Sequence, residues 1–299
     1  MSTAAQITLL DGGMGTALRA RGVTVPDHTT SIWSALALIE APDAVRALHR
    51  DYIRAGAGVI ITNNYAVTPI LLAREGLDDR LDELTVTACR LAVEARTEAG
   101  APARVAGSLP PLDTSYRADL VGPYDEILPV YRRLAGLLAP HVDVLICETM
   151  TTAAEARAAA TAAAETGLPV WVGWTLADVS EDSQSAPLRG GESLAKAVSA
   201  LDDLPVEAFL LNCCSTRAVA HGLRSLASRT ARPIGAYANP FRSEPPEDEQ
   251  TASNPAHLDA AAYAGAADTW VSLGARIVGG CCGTDPDYIR TLARTLEAP

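Results

Sequence analysis

The chain has 299 residues, 48% of them hydrophobic and 20% charged. That balance supports a large buried core and excludes a predominantly disordered chain. The net charge of −12 argues against a nucleic-acid partner, which requires a basic face.

Short apolar runs rich in Val, Ile or Leu alternate with helical patterns along the chain. Strands are predicted at residues 7–10, 58–62, 104–107, 142–147, 169–174, 208–212, 233–237 and 276–278. A helix is predicted over 43–55, where Val45, Leu48, Tyr52 and Ile53 recur at helical spacing. Helices follow at 81–99, at 153–166 with Gly167-Leu168-Pro169 as its stop signal, at 193–201 and at 218–228. The last two are 254–267 and 285–296, the latter with Asp285 as N-cap and Pro286 at the first helical position. Residues 242–254 are polar and Pro-containing and read as a long loop after the seventh strand.

Nearly continuous apolar strands, each followed by a helix, imply parallel strands buried on both faces. Eight such units predict a single-domain (β/α)8 TIM barrel spanning 1–299. A doubly wound open sheet is the alternative, but Gly12-Gly13-Met14-Gly15 is not the G-x-G-x-x-G fingerprint that fold would place after its first strand. The first residues carry no secretory-signal pattern. The longest apolar candidate, 134–150, is interrupted by Pro140, His141, Asp143 and Glu148, so no membrane span is expected. Six cysteines in such a chain fit a reducing cytoplasm better than a disulfide framework.

The cysteines are the most informative side chains. Asn212-Cys213-Cys214 follows the sixth strand, and Gly279-Gly280-Cys281-Cys282-Gly283-Thr284 follows the eighth. Successive side chains on a strand point to opposite faces, so Cys281 and Cys282 can share one ion only where the strand has ended. Gly279, Gly280 and Gly283 are expected to supply the backbone angles of that turn. Three thiolates in one place point to a soft tetrahedral metal, zinc first, with one position open for substrate. Cys213 and Cys214 compete for the third ligand position, and spacing alone does not separate them. Cys89 and Cys147 read as small buried hydrophobes. A barrel places its active residues at strand C-terminal ends. Asp11, Asn63, Asn64, Tyr65 and Glu148 all follow strands there, beside the cysteines.

Together these stretches resemble the homocysteine S-methyltransferase family. The matching segments are Asp11-Gly12-Gly13-Met14-Gly15-Thr16, Ile32-Trp33-Ser34-Ala35, Ile61-Thr62-Asn63-Asn64-Tyr65, Glu148-Thr149, Asn212-Cys213 and the Gly279–Thr284 segment. The resemblance implies a homocysteine-binding (β/α)8 barrel holding one Zn2+ through Cys213, Cys281 and Cys282. It implies that Asp11 and Glu148 are the catalytic acids that grip the amino group of homocysteine. Asp11, Gly12, Glu148, Trp33, Tyr65 and Asn63 are then the substrate-binding set, with Trp33 and Tyr65 facing a cationic methyl donor. Trp174 is a weaker candidate of the same kind, and Trp171 reads as core. His49 reads as packing, and the other histidines show no ligand spacing.

The chain ends soon after its eighth helix, which leads us to expect a free small-molecule donor. S-methylmethionine and S-adenosylmethionine are the candidates. Betaine enzymes carry a tyrosine after the glutamate, where this chain has Thr149. Residues 107–111, Gly-Ser-Leu-Pro-Pro, also depart from the commoner Gly-Ser-x-Gly-Pro. Another acceptor thiol or a selenol such as selenocysteine is the alternative within the family. A zinc hydrolase or a non-catalytic zinc protein is the alternative outside it; sulfur-rich coordination makes a poor Lewis acid for hydrolysis. The expected partners are small molecules alone, homocysteine and a sulfonium donor; the sequence carries no signal for oligomeric state.

Overall fold

Parallel strands that are apolar on both sides must be covered on both sides, and a closed barrel achieves this with a filled interior and an outer ring of helices. The computed structural model describes residues 7–27, 31–179, 185–241 and 257–297. Within them the strands are β1 (Thr8–Leu9), β2 (Val59–Ile61), β3 (Arg104–Leu109), β4 (Val144–Met150), β5 (Val170–Trp174), β6 (Val206–Ser215), β7 (Ile234–Asn239) and β8 (Ala275–Gly280). They form one parallel sheet in the order β1-β8-β7-β6-β5-β4-β3-β2. A parallel bridge from Leu10 to Val59, with the Gly58 amide donating to the Leu9 carbonyl at 2.9 Å, joins its two edges. The fold is the expected (β/α)8 barrel.

Side chains from β2 to β8, together with Leu10 just past β1, fill the interior. Leu10, Val59, Ala106, Val144, Ile146, Trp171, Ala208, Leu210, Tyr237 and Ile277 form one buried cluster. Trp171 is therefore core, as expected. The larger cluster lies between sheet and helices and contains Cys89, Cys147 and Cys214. Trp174 also lies in that outer layer, fully buried against Phe209 with ring centroids 5.3 Å apart. It is not a site residue.

The helices are α1 (Met14–Ala20), α2 (Leu36–Glu40), α3 (Pro42–Arg54), α4 (Pro69–Arg74), α5 (Leu81–Ala99), α6 (Tyr124–Leu138), α7 (Ala153–Ala164), α8 (Leu194–Ser199), α9 (Thr216–Ala227), α10 (Ala260–Ser272) and α11 (Pro286–Glu297). Helix α11 begins as predicted: Asp285 Oδ1 accepts from the amides of Asp287 at 2.8 Å and Tyr288 at 3.3 Å. Helix α6 escapes the sequence reading because Pro129 stands inside it. Burial of Ile127, Leu128, Tyr131 and Leu134 on one face carries it through the missing donor. The strands also run further than predicted at their C-terminal ends, through Glu148 in β4 and Cys213 in β6. The predicted 242–254 loop, the first part of the predicted 254–267 helix and His28 lie outside the described residues. No helix among the described residues is long and apolar enough to cross a membrane.

Candidate active site

The strand ends β1, β2, β4, β6, β7 and β8 open into one cavity of about 140 Å³. Its walls include Asp11, Trp33, Tyr65, Glu148 and the three cysteines Cys213, Cys281 and Cys282. The sulfurs of these cysteines all lie within 4.8 Å of one another. Cys214, one residue on, lies in the helix-facing core, so the two neighbours face opposite ways and Cys213 is left at the cavity. Strand β8 ends at Gly280, which puts Cys281 and Cys282 in the turn beyond it.

The glycines of that turn act differently from expectation. Only Gly283 adopts a left-handed backbone, with φ 84°. Gly279 and Gly280 are there for space. A Cβ on Gly279 would lie 2.5 Å from Cβ of Leu10, and one on Gly280 would lie 2.1 Å from Oγ1 of Thr284. Thr284 ties the turn together, donating to the Cys281 carbonyl at 2.7 Å and accepting from the Gly13 amide at 3.2 Å. Gly12 and Gly13 are equally confined, and a Cβ on Gly13 would meet the Cys281 carbonyl oxygen at 2.6 Å. The Asp11-Gly12-Gly13 segment and the cysteine turn are thus one packed unit.

The thiols fit a metal. Tetrahedral zinc–thiolate bonds of about 2.3 Å separate their sulfurs by about 3.8 Å, within the span of this cluster. Hydrogen bonding to Cys213 and Cys282, followed by burial, pushes the Cys281 thiol well above its ordinary value. Three thiols this close together, Cys213 buried and Cys281 and Cys282 half-buried, do not all ionise together unless a cation offsets their charge. A divalent ion supplies that offset, and thiolate ligation favours a soft one.

Both acids are buried: Asp11 is 4% exposed and Glu148 6%. Burial raises the Asp11 carboxyl well above its usual range, the Ile61 amide opposes this by donating to Oδ2 at 2.9 Å, and Glu148 raises it further. Burial likewise pushes Glu148 up to about 7, against the stabilising hydroxyl of Ser108. Ser108 donates to Oε1 at 2.5 Å and Tyr237 to Oε2 at 3.2 Å. Two desolvated carboxyls in one cavity favour an incoming ammonium group, which lowers both pKa values as it binds.

Of the remaining expected contacts, Trp33 and Tyr65 line the cavity. The Arg19 guanidinium stacks on the Trp33 ring at 4.8 Å, and the Tyr65 hydroxyl is 2.8 Å from that of Ser115. Asn63 lines the cavity too, yet its amide is engaged on both sides, accepting from the Ser34 hydroxyl at 2.6 Å and donating to the Ser34 carbonyl at 2.9 Å. It holds the loop that presents Trp33. Sequence reasoning missed Ser108, Tyr237 and Tyr116. Tyr116 lies in the cavity wall with φ 67° and with Arg189 stacked on its ring at 4.3 Å. Burial, then charge on Cys213, Cys282 and Cys281, holds its phenol well above the ordinary value. Ser108 falls within the 107–111 segment, whose departure from the commoner form is at Pro110 and not at the serine; Tyr116 had no sequence signal.

The homocysteine S-methyltransferase family model matches residues 8–296. The chain belongs to the homocysteine S-methyltransferase family. Its relatives include a homocysteine S-methyltransferase of Escherichia coli K12, 34% identical over 307 aligned residues that cover 96% of this chain and 94% of the relative. Homocysteine S-methyltransferase YbgG of Bacillus subtilis is 30% identical and covers 96% of this chain and 93% of its own. The metallated form of the homocysteine methyltransferase MmuM from Escherichia coli superposes with a TM-score of 0.79, at 31% identity, over 97% of this chain and 96% of that one. This family member is accordingly a methyltransferase.

Proposed function

We propose that this homocysteine S-methyltransferase family member moves a methyl group from S-methylmethionine or S-adenosylmethionine to the sulfur of homocysteine, with zinc held by Cys213, Cys281 and Cys282. The observation that carries this reading is the placement of three clustered sulfurs and two buried carboxyls on the walls of one cavity. Zinc bound at the three thiols would keep the acceptor sulfur as a thiolate at neutral pH, where a free thiol with a pKa of roughly 8.5 is mostly protonated.

Asp11 and Glu148 hold the acceptor amino group, and Ser108 and Tyr237 fix the Glu148 carboxylate in place. This leaves the acceptor sulfur directed at the cysteines. Trp33 and Tyr65 line the remaining wall, where aromatic faces attract the positive donor without binding it as tightly as a carboxylate would. The acceptor sulfur forms a bond to the methyl carbon as the donor's S–CH3 bond breaks. The bond pair leaves with the donor sulfur, which becomes a neutral thioether, and the acceptor's thiol proton passes to solvent. Charge is neutralised in this step, so a cavity that excludes water favours it over the separated ions. Thr149, in the position of the betaine enzymes' tyrosine, commits its hydroxyl to Asn212 at 2.8 Å and presents no aromatic face to a quaternary ammonium.

The test is methionine formation by reduced, zinc-loaded protein offered homocysteine with S-methylmethionine, S-adenosylmethionine or betaine separately. Methionine from either sulfonium donor is expected. Turnover with betaine alone would overturn the donor assignment, and product from none of the three would overturn the reading as a whole.

A further inference from the structure

Four residues at this site hold backbone conformations that L-residues rarely adopt; Trp33 and Tyr116 lie outside the strands, and Thr149 and Cys213 lie within them. Thr149, directly after Glu148, has φ 61°, and Cys213 has φ 51°. For a β-branched residue such as Thr149 this is a true outlier. Both sit where strand register breaks, β4 against β5 between Cys147 and Met150, and β6 against β7 between Asn212 and Ser215. Such irregularities re-aim side chains. Here one turns Glu148 and the other turns Cys213 toward the cavity.

A single side chain joins the two. The fully buried Asn212 carboxamide accepts from the Thr149 amide at 2.9 Å and donates to the Thr149 hydroxyl at 2.8 Å. Strand β5 lies between their strands, and the carboxamide passes over Gly173, where a Cβ would lie 3.0 Å from Oδ1 of Asn212 and 3.3 Å from the Tyr237 hydroxyl. On the other side, the Thr175 hydroxyl donates to the Cys213 carbonyl at 3.1 Å. The Asn212 amide group satisfies a donor and an acceptor of Thr149 at once, a pairing that no aliphatic side chain reproduces.

We infer that Asn212 is a positioning residue that locks the backbone turn carrying Glu148 to the turn carrying Cys213, so that the amino-group grip and the thiol cluster keep one fixed separation. That separation makes the site selective for an acceptor whose amine and sulfur are homocysteine's distance apart. The inference rests on the acceptor reading proposed above. Gly173 belongs to the same device, because it leaves room for both Asn212 and Tyr237, and both act on Glu148 or its neighbour.

The test compares Asn212→Ala with the double variant Asn212→Ala/Thr149→Gly. Glycine adopts φ near 60° without penalty, so it should hold the Glu148 turn without the clamp. Cobalt(II) replaces zinc as a spectroscopic probe of the thiol cluster, and homocysteine affinity is read by calorimetry. Asn212→Ala is expected to retain one metal per chain, to shift the cobalt absorption bands and to weaken homocysteine binding at least tenfold. The double variant is expected to recover affinity to within about threefold of the parent. Unchanged affinity in Asn212→Ala, or a loss that Thr149→Gly does not relieve, would overturn the inference. Should Asn212→Ala fail to fold, Thr149→Val removes only the hydroxyl arm; a loss of homocysteine affinity supports the clamp and parental affinity refutes it. If the parent itself binds no homocysteine, the acceptor reading falls. The clamp is then judged on cobalt spectra alone, where bands unchanged by Asn212→Ala refute it.

Discussion

Burying the Glu148 carboxyl is costly, and its partners offset only part of that cost. Ser108 and Tyr237 stabilise the charged form, yet burial still holds its pKa at about 7. Glu148→Gln keeps the shape and removes the charge, so an ammonium ligand loses a charge-assisted contact of about 1.5–3 kcal/mol. We expect homocysteine affinity to fall about 10- to 100-fold by calorimetry, with metal content unchanged; parental affinity would remove Glu148 from the acceptor site. His49 is a second costly residue, away from the cavity. It is fully buried on α3, neither ring nitrogen has a hydrogen-bond partner among the described residues, and burial lowers its pKa to about 3. The unfolded chain binds the proton first, so the stability His49 allows is complete above about pH 6.5 and is lost as pH falls toward 3. By pH 4 this costs about 3 kcal/mol. His49→Leu should shrink the difference in unfolding free energy between pH 7 and pH 4 by about that amount in denaturant titrations.

Single strands and turns carry the site through close approach. The turn after β8 fits only because Gly279 and Gly280 lack side chains, and its Thr284 bonds both the Cys281 carbonyl and the Gly13 amide. Gly280→Ala forces Thr284 outward and separates the turn from the Asp11-Gly12-Gly13 segment. Overpacking of this kind costs about 1–3 kcal/mol. The expected result is a lower melting temperature together with weaker metal retention, and a variant with parental values of both would show that the turn tolerates the shift. Helix α9 illustrates the independent, local kind of stability. The Ser215 hydroxyl accepts from the Ala218 amide at 3.3 Å as its N-cap, and Ser215→Ala should cost about 1 kcal/mol in chemical denaturation.

At the scale of the molecule, the three cysteines join β6 to the turn beyond β8, strands separated by β7. A metal there crosslinks the barrel mouth, and a ligand that binds only the folded state stabilises it by mass action. Chelation should therefore lower the melting temperature, and Cys281→Ala should abolish metal retention, measured by elemental analysis after dialysis. Full metal content in Cys281→Ala would exclude that residue from the ligand set.

Barrel architecture was legible in the order of the residues because apolar strands and amphipathic helices are local patterns, and eight repeats of them have few solutions. The cysteines, Asp11 and Glu148 were legible as well, because a barrel gathers whatever follows its strands at one mouth. Helix α6 was hidden by Pro129, whose local signal was outweighed by the burial of Tyr131 and Leu134. The separate fates of Cys213 and Cys214 were not open to spacing. The support of Glu148 by Ser108 and Tyr237, the engagement of Asn63 by Ser34, and the Asn212–Thr149 clamp were likewise decided only in the tertiary structure. Each depends on side chains from strands or loops that meet only when the sheet closes. Local pattern determines which residues reach the mouth; closure determines which of them touch.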